Sequence, residues 1–66
     1  MNIEDAKELK QSILFQGFCD EILYRIEALR SEMENAEPGM LPFLQEQIKV
    51  YRKVLTIPQD IIDRDE

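Results

Sequence analysis

Sixty-six residues make one small domain, and a single core in so short a chain rarely supplies more than ~3–5 kcal/mol of stability. Cys19 is the only cysteine and histidine is absent, which excludes an internal disulfide and disfavours structural zinc, leaving oligomerisation as the expected extra support. A hydrophobic share of 44% with 33% charged residues excludes disorder and a bilayer-spanning chain, and the net charge of −6 argues against general nucleic-acid binding.

No apolar run approaches the ~20 residues that cross a bilayer, and Met1-Asn2-Ile3-Glu4-Asp5 lacks the features of a signal peptide. A reducing cytoplasm is therefore expected, in keeping with a free Cys19. Charge is uneven along the chain. Residues 18–37 sum to −4, from six acids against two arginines, whereas 41–57 sum to +2, and this contrast favours antiparallel pairing of the two segments.

The first predicted helix spans about 2–16. Asn2 suits the N-cap, Glu4 and Asp5 suit the positive end of the helix dipole, and Ile3, Ala6, Leu9 and Ile13 form its apolar stripe. The next stripe runs Phe15, Phe18, Ile22, Ile26, Leu29, Met33, Ala36, a heptad seam with one stutter. On one straight helix the two stripes would face nearly opposite sides. Gly17 lies at the crossover, so the chain is expected either to kink there or to continue and pack its N-terminal third on a different neighbour. Either way, the belt from Ile13 to Leu23 is too apolar to be left in water.

The second helix is expected over about 18–36. Pro38-Gly39 predicts a type II turn, and Pro42 fits the first turn of a third helix over about 41–57. The two helices should form an antiparallel helical hairpin. Pro58 is expected to stop the third helix, leaving 58–66 as a short acidic tail whose Ile61-Ile62 pair docks on the basic third helix or frays. The fold class is thus all-α: a small helical bundle, one domain over 1–66, completed by oligomerisation.

The third helix carries two apolar stripes. Leu41, Leu44, Ile48, Tyr51 and Leu55 recur at 3,4 spacing and suit the hairpin core, with Leu29 and Met33 opposite. Phe43, Val50, Val54 and Ile57 lie about a third of a turn away, and a two-helix hairpin covers only one face. The second stripe is the expected association surface, joined by Phe15 and by Tyr24, which points off the second helix's seam. Lys49, Arg52 and Lys53 form a basic strip that suits an anion or an acidic peptide, or else the acidic segment 20–37. Glu21 with Arg25 and Glu27 with Arg30 have the spacing of surface ion pairs.

Chemistry is little indicated. There is no histidine for acid–base work, no glycine-rich phosphate loop and no Glu-x-x-His pattern, while Cys19 lies beside Asp20 and Glu21 rather than a base. No catalytic, cofactor or metal residue is assigned. Ile26-Glu27-Ala28-Leu29-Arg30-Ser31-Glu32-Met33, a turn and a further helix resemble the opening of the small sporulation-type aspartyl-phosphate phosphatases. Their Ser-Gln-Glu-Leu-Asp signature is replaced here by Leu44-Gln45-Glu46-Gln47-Ile48, so no site is carried over.

The leading expectation is a non-catalytic, self-associating protein–protein interaction module, of the sort common among bacterial and phage accessory factors. It would be a homo-oligomer with a possible protein target and no direct nucleic-acid or membrane contact. One alternative is an acidic decoy that uses Glu27, Glu32, Glu34 and Glu37 against a basic nucleic-acid-binding protein. Another is an oligomer that sequesters a small anion through Lys49, Arg52 and Lys53.

Overall fold

Asn2 caps the first helix as its residue type suggests. Its backbone is extended, and its Oδ1 accepts the N–H of Asp5 at 2.8 Å. The computed structural model describes residues 1–65, which are all-helical: α1 spans Ile3–Gln11, α2 Ile13–Asn35 and α3 Leu41–Asp65, with a 3₁₀ turn at Pro38–Met40 before α3. Glu66, the last residue of the expected tail, lies outside the described residues.

The break between the first two stripes falls at Ser12, five residues before the expected position, and α2 runs unbroken through Gly17. Ser12 has φ −71° and ψ 130°, its N–H donates to the Leu9 carbonyl at 3.0 Å, and its Oγ accepts the Phe15 N–H at 3.4 Å. One residue therefore closes α1 and opens α2. Glycine permits a break, but only a residue with an acceptor side chain satisfies the free N–H groups that a new helix start creates. Gly17 has no positive φ and no neighbour near an added Cβ, so it is an ordinary helical position.

The type II turn is also replaced. Gly39 does not use a positive φ; instead Pro38–Met40 form a 3₁₀ turn in which the Met40 N–H donates to the Glu37 carbonyl at 2.8 Å. Proline at the start of that turn needs no donor, which suits 3₁₀ geometry as well as it suits a type II turn.

Pro58 does not stop α3, which continues to Asp65 with Pro58 buried. Proline inside a helix costs about 3 kcal/mol, because the carbonyl four residues back loses its donor. Burying Ile61 and Ile62 recovers about 1.5–3 kcal/mol per side chain, so continuation wins. These isoleucines pack against Ala6 and Ile3 of α1 rather than on the basic residues of α3, since a continuous helix cannot fold back on itself.

The second cluster joins α2 to α3: Ile22, Ile26 and Ile48 are buried, with Leu29, Met33, Tyr51 and Leu55 against them. Arg30 and Met33, late in α2, share a groove with Gln45 and Ile48, early in α3; Phe15 and Cys19 share another with Leu55 and Pro58. The resulting molecule is elongated and thin, 44 × 23 × 12 Å. Its radius of gyration is 14.7 Å, where a compact chain of this length would have roughly 11 Å. It exposes 5152 Å², against roughly 4,400 Å² for a compact protein of its mass. Among the described residues no large side chain is fully buried.

Candidate association surface

Two seams run the length of α3. The inner one, Leu41, Leu44, Ile48, Tyr51 and Leu55, continues through Pro58 to Ile62 and faces the other helices. The outer one begins with Phe43 and takes in Gln47, Val50, Val54, Ile57 and Ile61, an unbroken 4,3,4,3,4 spacing. Gln47 and Ile61 extend the stripe read from the sequence. The spacing itself was the signal for both, hidden by a polar residue in one case and by the expected stop at Pro58 in the other.

This outer seam is covered at one end only. Ile61 is buried under α1, and Val54 and Gln47 are half-buried. Phe43 is 60% exposed, Val50 55% and Ile57 49%. Met40, in the 3₁₀ turn, occupies the next position of the same spacing and is exposed too. Phe43, Glu46, Gln47, Val50 and Tyr51 line a shallow, mostly apolar hollow on this face. The first four of these stand at i, i+3, i+4 and i+7, the arrangement that receives one side chain of a facing helix.

The other two expected association residues lie apart from this seam. Phe15 is half-buried, stacks on Phe18 with ring centroids 6.1 Å apart, and borders the groove with Leu55 and Pro58. Tyr24 is 70% exposed on the side of α2 away from its buried Ile22 and Ile26. The expected apolar belt is divided rather than buried: Ile22 is in the core, while Ile13 and Leu14 are 83% and 87% exposed. The separate start of α2 at Ser12 turns these two outward, whereas a helix continuous from residue 2 would have placed Ile13 on the α1 stripe.

The basic strip is split as well. Lys49 and Arg52 border a groove with Arg30, whereas Lys53 is exposed beside the outer seam. The ion pairs between described residues lie within α2, Glu21 with Arg25 at 3.3 Å and Glu27 with Arg30 at 2.8 Å, and none joins the strip to the acidic segment. Tyr51, and then Glu21, push the Arg25 guanidinium up from its already high ordinary value. Of the four acids expected to mimic phosphates, Glu27 and Glu34 share one side of α2, while Glu32 lies well over a third of a turn away. Cys19 is half-buried among Phe15, Gln16 and Leu55.

Among the described residues no helix is long and apolar enough to cross a membrane, and no group of three or more acidic or cysteine side chains is placed to hold a metal ion. No protein-family model, curated protein or solved structure matches this chain.

Proposed function

We propose that this chain is a non-catalytic helical interaction module that self-associates, an antiparallel hairpin of α2 and α3 pinned at one end by α1 and completed by a second copy. The observation that carries the reading is the largely exposed outer seam on a thin, elongated molecule. The surface exposed beyond that of a compact protein is roughly 800 Å², about the area each partner buries in a standard protein–protein interface. The test is absolute mass by light scattering over a hundredfold range of protein concentration, with circular dichroism on the same samples. A helical species of at least twice the chain mass is expected. A helical monomer throughout would overturn the reading.

A second reading has one observation behind it, the meeting of Arg30, Lys49 and Arg52 at one groove, which suits a small anion or an acidic peptide. Arg30 is already engaged by Glu27, which lowers its availability. A rise in Tm with inorganic phosphate or a polyglutamate peptide, lost in Lys49→Ala/Arg52→Ala, is its expected signature.

A further inference from the structure

The geometry points to a specific dimer: two α3 helices packed antiparallel along their outer seams about a two-fold axis, with Met40 opposite the partner's Ile57 and Val50 seated in the partner's hollow. This rests on the self-association proposed above and adds orientation and register to it.

Three features bear on that register: length and charge select it, and shape agrees with it. The first is length. The part of the seam that α1 leaves uncovered runs from Met40 to Ile57, about 26 Å of helix in which Gln47 and Val54 are half-buried and the rest exposed, and α1 covers the next position at Ile61. The antiparallel arrangement that covers this whole stretch places its first residue against its last, and every other rung then follows. Phe43 meets the partner's Val54, and Gln47 meets the partner's Val50.

The second is shape. With Met40 opposite the partner's Ile57, the side chain centred over the hollow of Phe43, Glu46, Gln47 and Val50 is the partner's Val50. Symmetry repeats the contact on the other side, so one residue type is both knob and wall.

The third is charge. The solvent flank of the seam carries Glu46, Lys53 and Asp60, all exposed, while the opposite flank carries Leu44, Tyr51 and Pro58, which pack within the chain. Antiparallel packing sets one solvent flank against the other. In the chosen register Glu46 faces the partner's Lys53, twice over. A shift by one heptad would instead set Lys53 against its own copy and Glu46 against the partner's Asp60, both repulsive. Parallel packing would face these charges with Tyr51 and Pro58 and form no pair.

A charge swap tests the arrangement, with the dimer dissociation constant measured by sedimentation equilibrium in low salt and helicity checked on every sample. Glu46→Lys and Lys53→Glu should each weaken the dimer about tenfold, as two attractive contacts become repulsive. The double variant should return to within about threefold of the original. Self-association of the unaltered chain with no rescue in the double variant would overturn the register and orientation while leaving the module reading intact. A chain that stays monomeric would remove both.

Discussion

Ser12 and Gly17 show how differently two small residues act on a helix boundary. Ser12 supplies both a donor to the end of α1 and an acceptor to the start of α2. Its replacement in Ser12→Ala should cost about 1 kcal/mol, read as a lower urea midpoint with an unchanged slope. Gly17→Ala should act in the other direction. It lies within α2, with nothing near an added Cβ and no positive φ, so alanine should stabilise by about 0.5–1 kcal/mol. Opposite signs at these two positions locate the helix break chemically. A destabilising Gly17→Ala would return the break to the glycine.

At the scale of elements, α3 is the one whose extent depends on its neighbours. Pro58 carries the local preference of a terminator, yet the helix passes through it because Ile61 and Ile62 find Ala6 and Ile3 beyond. Ala6→Glu should therefore release α1 and fray α3 after Pro58, seen as fast hydrogen exchange at 59–65, while the protection of 22–33 persists. Pro58→Ala should raise stability by about 1 kcal/mol, as the recovered helix hydrogen bond outweighs the lost ring packing.

The same contrast explains how far the sequence could be read. Asn2 as a cap, the α2 seam, the inner seam of α3 and both α2 ion pairs follow from local spacing, and local spacing was sufficient. The continuation past Pro58 depends on contact with α1, more than fifty residues away in the chain, which no local pattern contains. Ser12 was legible in principle, as a cap residue directly before the apolar run Ile13-Leu14-Phe15, but glycine at the stripe crossover gave the stronger cue. For the candidate surface, Phe43, Val50 and Ile57 stood out by period. Met40 and Glu46 did not, since their interest comes from what would face them.

For the molecule as a whole, the decisive dimension is the 12 Å thickness. Val50→Glu places a charge at the centre of the bare seam and should abolish association while preserving most of the helical signal, because Val50 belongs to neither internal cluster. The unaltered chain should melt about 5 °C higher for each tenfold rise in concentration if unfolding is coupled to dissociation, whereas Val50→Glu should melt independently of concentration. So thin a molecule has little interior of its own. If two copies pair as proposed, abundance becomes a structural variable: each copy shelters another above a threshold concentration, and the lifetime of the chain should rise with its own production.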